Sequence, residues 1–177
     1  MTGICLSVSH TTRSPRPGEK DGVDYHFIDE QTFKTMQHAG DFLEYAQVFD
    51  HYYGTAHKHV LQLLNQGLDV ILEIDWQGGR QVRVQFPGTV GIFILPPSRE
   101  ILERRLHLRG QDEEMVIARR MRDACAEISH YREFDYLVVN GDFETALADL
   151  TIIIRSQRLL RLRQEGKLKP LLTELLA

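Results

Sequence analysis

The sequence predicts a three-layer α/β/α core with a parallel sheet, to which a small mixed α+β insertion and a helical lid are added. From residue 69 onward, apolar segments of strand length alternate with segments of helical spacing, as in a parallel sheet covered by helices. Residues 10–65 contain shorter, aromatic-rich strands, so we expect them to leave the core and return to it. The chain of 177 residues is long enough to bury one such core.

The elements before residue 69 follow from alternation, turn residues and helical spacing. "ICLSVS" alternates apolar with small or polar residues, and "DYHFI" is a short aromatic strand that closes a loop rich in Pro, Gly and charge. These patterns predict a strand over 4–9, a loop over 10–28, a helix over 30–39, a strand over 42–49, a turn over 51–55 and a helix over 56–66.

From residue 69 the strands are predicted to be parallel. "DVILEID" contains a continuous apolar run, as in a strand that is buried on both faces. Ser98 and Asp142 are candidate N-caps, because each precedes a segment of helical spacing. The predicted order is a strand over 69–75, a helix over 77–85, a strand over 90–96, a helix from Ser98, a longer helix after "RGQDEE", a strand over 135–139, a helix from Asp142 to Leu162 and a short C-terminal helix.

Composition favours a globular protein of the cytoplasm. Apolar residues make up 42% and charged residues 26% of the chain, and the formal net charge is -4. Proteins that bind nucleic acid usually carry a basic surplus, so no nucleic-acid partner is expected. The two cysteines, Cys5 and Cys125, suit a reducing compartment. No apolar run approaches the roughly 18 residues of a spanning helix, and no signal peptide is evident, so no membrane association is expected.

Ligands of open α/β sheets bind at the carboxyl ends of the strands, which directs attention to the residues there. Ser9, Glu73, Asp75, Pro96 and Asn140 occupy these positions. Glu73 and Asp75 lie two residues apart on one predicted strand, so both side chains project to the same face. Carboxylates at this edge could hold the water shell of a Mg²⁺ ion or accept hydrogen bonds from a ligand.

Arg13 and Arg16 lie in a loop that follows a run of Ser, His and Thr. Guanidinium groups offer paired planar donors that match phosphate oxygens, and hydroxyls can complete the shell. Two prolines stiffen the segment and lower the entropy cost of presenting both side chains. The segment is therefore either a phosphate-binding loop or a solvated surface loop.

A second group of arginines flanks "LRGQDEE". Arg105 and Arg109 lie one helical turn apart, and Gly110 is a candidate hinge. Cationic helix ends around a polar segment suit a lid that closes on phosphates and excludes water. A solvated helix face with Glu–Arg pairs is the alternative. The group consists of Arg104, Arg105, Arg109, Arg119 and Arg120.

Glu44 stands in an otherwise apolar strand. A carboxylate there could accept hydrogen bonds from the adjacent N1–H and N2 amino group of guanine, and such a site rejects a mismatched ligand by roughly 10⁴ in the best cases. Tyr25, Tyr52 and Tyr53 could donate to a phosphate or could form the core of the insertion. The histidines lack the spacing of a zinc site, so no protein-bound metal is predicted.

Taken together, these motifs resemble those of the guanylate kinase family, and of its bacterial members most closely. The resemblance covers about residue 5 to residue 165 and rests on "SVSHTTRSPRPGE", "DYHF", "FLEYAQVF", "YYGT", "LEIDWQG", "FILPPS", "RRLHLRGQDEE", "IARRM" and "DYLVVN" in the family's order and spacing. It implies a P-loop-kinase-like fold and transfer of the γ-phosphoryl of ATP to GMP, which gives ADP and GDP, with Mg²⁺ accompanying ATP.

The resemblance also implies roles for individual residues of this chain. Arg13, Arg16, Tyr25 and Tyr53 would hold the GMP phosphate. Ser9, Glu44, Thr55 and Asp75 would bind guanine, Gly54 would bring the backbone close, and Glu73 stands in the GMP site where the family usually has Asp. Arg105, Arg109 and Asn140 would contact ATP, and Arg13, Arg105, Arg109 and Arg120 would act as the catalytic arginines.

The same resemblance divides the chain into a core over 1–9 and 66–177, a GMP-binding subdomain over 10–65 and a lid over 105–120. Guanylate kinases begin with a strand, a G-x-x-x-x-G-K-[ST] loop that cradles the ATP phosphates, and a helix. That motif does not occur in these 177 residues, so the sheet is expected to lack its first strand and ATP binding is expected to be poor. A catalytically inactive guanylate kinase-like module that binds GMP or a phosphopeptide is the alternative. Either a monomer or a homodimer is expected.

Overall fold

The computed structural model describes residues 1–108 and 114–177, and of residues 114–120 it describes only the backbone. The chain separates into two compact units, Met1–Thr89 and Val90–Ala177. Both units combine helices with parallel strand pairs, as the predicted α/β fold requires. The predicted division into a core over 1–9 and 66–177 and a subdomain over 10–65 stays a prediction.

The first unit contains a parallel strand pair, a four-stranded sheet and helices. Its elements are β1 (Ile4–Leu6), β2 (His10–Thr11), β3 (His26–Phe27), α1 (Glu30–Ala39), β4 (Phe42–Val48), β5 (His51–Ala56), α2 (His57–Asn65), β6 (Asp69–Ile71) and α3 (Trp76–Gln85). Strands β1 and β6 pair in parallel, with Cys5 opposite Val70. The four-stranded sheet has the order β3-β2-β5-β4, so β4 lies at one edge.

Strand β5 corrects the prediction of a turn over 51–55. His51–Ala56 pairs antiparallel with β4 along most of its length and with β2 on its other side. The turn lies earlier, at Phe49, whose φ of 55° is in the left-handed region. Glycine and two tyrosines suggest a turn locally, whereas the ladder partners that make the segment a strand are distant in sequence.

Helix α1 has the bounds that its sequence predicts, because both ends carry local signals. The Asp29 side chain accepts a hydrogen bond from the backbone N–H of Thr32, and Gly40 adopts a left-handed conformation at the C-terminus. Phe33 is fully buried and packs its ring 4.6 Å from Phe42. The helix is thereby anchored on the four-stranded sheet.

The predicted strand over 69–75 is shorter and more exposed than expected. Only Asp69–Ile71 pairs as strand β6. Val70, Leu72 and Ile74 pack against a core of Leu43, Val60 and Val82, whereas Ile71 and Glu73 are exposed. The prediction of burial on both faces is therefore wrong, because the apolar residues alternate with residues that face away from this core.

The second unit contains a parallel strand pair packed with helices. Its elements are β7 (Ile92–Leu95), α4 (Arg99–Leu108), α5 (Glu114–Ser129), a 3₁₀ helix (His130–Glu133), β8 (Tyr136–Val139), α6 (Phe143–Arg158) and α7 (Arg161–Leu175). Asp142 caps α6 as predicted, through a hydrogen bond from the Thr145 N–H. Helix α6 ends at Arg158 rather than Leu162, since Leu160 has an extended ψ of 133°. Val138, Ala146 and Ile153 form the core.

Candidate nucleotide-binding site

Three buried or half-buried polar side chains are connected by hydrogen bonds across the four-stranded sheet. The Thr55 hydroxyl donates to Glu44 Oε1 at 2.5 Å, and Ser9 Oγ lies 3.1 Å from Thr55 Oγ1. A hydroxyl has one proton, so the Ser9 hydroxyl donates to Thr55. Strands β4 and β5 place Glu44 opposite Thr55 in the ladder, which explains the close contact. The structure thus brings together three of the residues predicted to bind a base.

Glu44 is the buried carboxylate of these hydrogen-bonded side chains. It is 3% exposed. Burial, with a smaller contribution from the nearby carboxylate of Asp75, raises the pKa of Glu44 to about 7, although the hydrogen bond from Thr55 lowers it. A carboxylate with this pKa is partly protonated at neutral pH, and a ligand that donates hydrogen bonds to it would favour its ionised form.

Asp75 stands at the N-terminus of α3, beside Glu44. Its Oδ1 accepts from the Gly78 N–H at 2.9 Å and its Oδ2 accepts from the Gln77 side-chain amide at 3.0 Å. Gly78 is buried, and a Cβ at that position would lie 2.5 Å from Glu44 Oε2. A glycine is therefore required for helix α3 to approach the Glu44 carboxylate this closely.

Arg13 lies in a pocket of aromatic rings and acceptors. Its Nη2 donates to Glu19 Oε1 at 2.8 Å and its Nη1 donates to the Ser14 carbonyl at 2.7 Å. The guanidinium carbon lies 5.5 Å from the Tyr25 ring centre and 5.8 Å from that of Phe27. The hydrogen bond from Arg13 to Glu19 raises the pKa of Arg13, so this cation stays charged at any physiological pH.

Glu19 organises the arginine loop, a role that the sequence pattern did not predict. Its Oε2 accepts from the backbone N–H of Arg16 at 2.7 Å while its Oε1 holds Arg13. These hydrogen bonds, with that from Arg13 foremost, lower the pKa of Glu19. The available signal was an acidic residue placed directly after "RSPRPG". The loop is thus an ordered cationic pocket at Arg13, while the Arg16 side chain is exposed.

Tyr25 and Tyr53 complete the arginine pocket. Their rings lie 5.9 Å apart in an edge-to-face arrangement. Burial raises the pKa of Tyr25, and the neighbouring Tyr53, Glu73 and Glu19 raise it further, so the phenol remains a hydrogen-bond donor. The exposed Glu73 carboxylate is therefore close enough to Tyr25 to influence its titration.

Gly54 is buried beneath an aromatic ring. A Cβ at Gly54 would lie 3.0 Å from Phe42 Cδ1 and 3.2 Å from the Glu44 carbonyl oxygen. A side chain at position 54 would therefore collide with β4, the strand that carries Glu44. The close approach of the Gly54 backbone to GMP stays a prediction.

In the second unit, two residues of the predicted ATP contacts lie together. Arg105 Nη2 donates to the Asn140 carbonyl oxygen at 2.9 Å, and both residues are half-buried. Arg109 lies outside the described residues. Arg120 belongs to helix α5, but its side chain is also outside them.

Among the side chains that the structure describes, those of residues 1–108 and 121–177, no group of three or more His, Cys, Asp or Glu could hold a metal ion. In the same part of the chain no helix is both long enough and apolar enough to cross a membrane.

Comparison with known proteins gives one consistent family. The family model described as "Guanylate kinase" matches residues 2–157. A guanylate kinase of Nitrosococcus oceani is 70% identical over 176 residues, which are 99% of this chain and 87% of that protein. A guanylate kinase of Alkalilimnicola ehrlichii is 58% identical over 98% of this chain and 85% of that protein.

Solved structures agree with the sequence relatives. The crystal structure of guanylate kinase from Anaplasma phagocytophilum matches with a TM-score of 0.78 and 35% identity, over 93% of this chain and 85% of that chain. Sequence and fold therefore point to the same family along nearly the whole chain.

Proposed function

This chain belongs to the guanylate kinase family, and on that premise we propose that its first unit binds GMP through a buried carboxylate for the base and an arginine pocket for the phosphate. The activity of the protein is that of a phosphotransferase: it transfers the γ-phosphoryl of ATP to GMP and releases ADP and GDP. The comparisons favour this activity over a catalytically inactive binding module.

The buried Glu44 is the single observation that carries the assignment of the base. A carboxylate that is 3% exposed and holds a hydrogen bond from Thr55 needs further donors when it ionises. Guanine supplies two adjacent donors, N1–H and the N2 amino group. Adenine presents an acceptor at N1, so it would leave the buried carboxylate without the further donors that it needs. We assign Glu44 and Asp75 to the guanine edge, with Ser9 and Thr55 orienting Glu44.

Phosphate binding is assigned to the arginine pocket. Arg13 is held by Glu19 and lies beside the Tyr25 and Phe27 rings, so its guanidinium is already oriented before a ligand arrives. Orientation in advance lowers the entropy cost of binding a phosphate. Arg16, Tyr25 and Tyr53 supply the remaining donors, and Gly54 supports the adjoining strand.

The donor side of the reaction is assigned to the second unit. Arg105 and Asn140 lie together there, and we propose that they contact ATP, with Arg109 and Arg120 as further arginines of a lid over 105–120. Phosphoryl transfer needs cations at the transferring oxygens rather than a nucleophilic side chain. Arginines at both substrates therefore suit the reaction.

The described residues fit a Mg²⁺ ion that arrives with ATP rather than a protein cage. Mg²⁺ in kinases is bound by one or two carboxylates together with substrate phosphates and water. Both oxygens of Asp75 are already hydrogen-bonded, whereas Glu73 is exposed and could hold the water shell of the ion. When bound, the ion would neutralise charge on the phosphates. A cytoplasmic location, where both nucleotides occur, is part of the proposal.

Two measurements on the whole chain test the proposal. A coupled assay of ADP formation should show activity with GMP and far less with AMP as the acceptor. Calorimetry should show GMP binding that Glu44→Gln weakens strongly and that Glu174→Gln, at an exposed position of α7, leaves unchanged. Equal binding of GMP and AMP by the unaltered chain would refute the assignment of Glu44 and Asp75. GMP binding that survives Glu44→Gln would refute Glu44 alone.

A further inference from the structure

Strand β4, which carries Glu44, lies at the edge of its sheet. It pairs with β5 on one side only. An edge strand presents backbone N–H and C=O groups without strand partners, and it is free to bend or shift unless another element holds it. The position of the Glu44 carboxylate depends on how this edge is held.

Two glutamines of helix α3 hold the edge. The Gln81 side-chain Oε1 accepts from the Tyr45 N–H at 3.1 Å, and its Nε2 donates to the Tyr45 carbonyl at 2.8 Å. The Gln85 Nε2 donates to the Leu43 carbonyl at 2.8 Å. The glutamine pair, Gln81 and Gln85, thus takes the place of a neighbouring strand on both sides of Glu44.

The spacing of the glutamine pair matches the strand. Gln81 and Gln85 lie four residues apart on a helix, a rise of about 6 Å. Leu43 and Tyr45 lie two residues apart on a strand, a rise of about 6.7 Å. Helix and strand can therefore run side by side with both amides in register. Val82 lies between the glutamines in sequence and belongs to the same buried cluster as Leu43, so α3 and β4 also share a core.

The same helix carries the second base-binding carboxylate. Asp75 caps the N-terminus of α3, and Gly78 lies against the Glu44 carboxylate. One rigid element therefore determines the position of Asp75 directly and that of Glu44 through the glutamine pair.

We propose that Gln81 and Gln85 are positioning residues for base specificity, which set the separation of Glu44 and Asp75 by locking β4 to α3. The inference rests on the proposed function, because it assumes that these two carboxylates bind guanine. The glutamines themselves do not touch the base. Their loss should loosen recognition of the base and leave binding of the phosphate intact.

The test uses three variants and three ligands on the whole chain. Gln85→Met removes one hydrogen bond to β4, Gln81→Met removes two, and Gln81→Glu keeps the acceptor for the Tyr45 N–H but loses the donor. Gln62→Met, at an exposed position of α2, is the matched control. The ligands are GMP, inosine monophosphate, which lacks the N2 amino group, and ribose 5-phosphate, which has no base.

Calorimetry should show a graded loss. We expect the Kd for GMP to rise roughly three- to tenfold in Gln81→Met, less in Gln85→Met, and not at all in Gln62→Met. Gln81→Glu should lose at least as much as Gln81→Met, because its carboxylate places an acceptor against the Tyr45 carbonyl oxygen. The preference for GMP over inosine monophosphate should fall in the same order. The Kd for ribose 5-phosphate should stay unchanged. A general loss of the fold would instead raise the Kd for ribose 5-phosphate as well.

Each other outcome overturns the proposal. An unchanged preference for GMP over inosine monophosphate in Gln81→Met would show that the pair does not position the carboxylates. A parallel loss of affinity for ribose 5-phosphate, or failure of all three variants to fold, would show a general structural role. An unaltered chain that binds GMP and inosine monophosphate equally would instead refute the base assignment of the proposed function.

Discussion

Replacing Glu44 by glutamine should make the protein more stable at neutral and alkaline pH while it impairs GMP binding. Glu44 is 3% exposed, and burial together with Asp75 raises its pKa from 4.5 to about 7. Glutamine has nearly the same shape and keeps an oxygen for the Thr55 hydroxyl, but it never has to ionise in a buried environment. The substitution thus removes the cost of a charge and little else.

The sign and size of the effect follow from the two pKa values. In the unfolded chain Glu44 loses its proton near pH 4.5, whereas in the folded protein it keeps the proton until about pH 7. Its contribution to the free energy of unfolding is therefore full below pH 4.5 and is lost as the pH rises through 7. The difference of about 2.5 pKa units, at about 1.4 kcal/mol each, amounts to about 3.5 kcal/mol over the full titration.

Urea denaturation of both proteins at pH 4.5, 5.5, 6.5 and 8 measures this effect. The free energy of unfolding of Glu44→Gln minus that of the unaltered chain should increase by about 3 kcal/mol from the lowest to the highest pH. The difference between the two proteins cancels the titration of groups that do not interact with Glu44. Glu174→Gln, at an exposed position, should show no such increase.

A difference that stays constant across this pH range would refute the reasoning, because it would mean that Glu44 ionises equally easily in the folded and unfolded chain. A difference that decreases with pH would mean that a favourable interaction, and not burial, dominates the folded state.

Three further predictions concern ligand binding and helix α3. The Kd for GMP should rise about tenfold for each pH unit below about 7, because the guanine donors need an ionised Glu44. The Kd for ribose 5-phosphate, whose phosphate titrates in the same range, should change less. Equal pH profiles for the two ligands would contradict this prediction. Gly78→Ala should lower the free energy of unfolding by about 1–3 kcal/mol in urea denaturation, because the new Cβ would lie 2.5 Å from Glu44 Oε2. Gly79→Ala in the same helix has open space at its Cβ and should raise the free energy of unfolding by up to about 1 kcal/mol. A change of the same sign in both variants would contradict this packing. Arg13→Lys should weaken the binding of both GMP and ribose 5-phosphate by about tenfold or more in calorimetry, because lysine cannot present two parallel donors. A loss of affinity confined to GMP would place Arg13 at the base instead.

Elements with local signals were predictable from the sequence. Helix α1 has the predicted bounds because Asp29 and Gly40 act within a few residues of the backbone groups that they cap. Asp142 caps α6 for the same reason. Both fold class and family follow from motifs that are contiguous in the chain.

Elements that depend on distant partners were not predictable in the same way. His51–Ala56 becomes a strand through its ladders with β2 and β4, and those contacts override the local preference of "YYGT" for a turn. Glu19 was missed because its two hydrogen bonds become visible only once the loop has folded around Arg13.

The sequence by itself determined which chemical groups the protein has: arginines at the end of the first strand, a carboxylate in an apolar strand, a second carboxylate at the start of a helix, and the family to which they belong. Only the tertiary structure decided how those groups behave. Gln81 reaches Tyr45 across 36 positions of sequence, and Gly78 lies against the Glu44 carboxylate across 34. The pKa of Glu44 near 7 arises because helix and strand exclude water from that carboxylate, and exclusion of water is a property of packing, not of residue type.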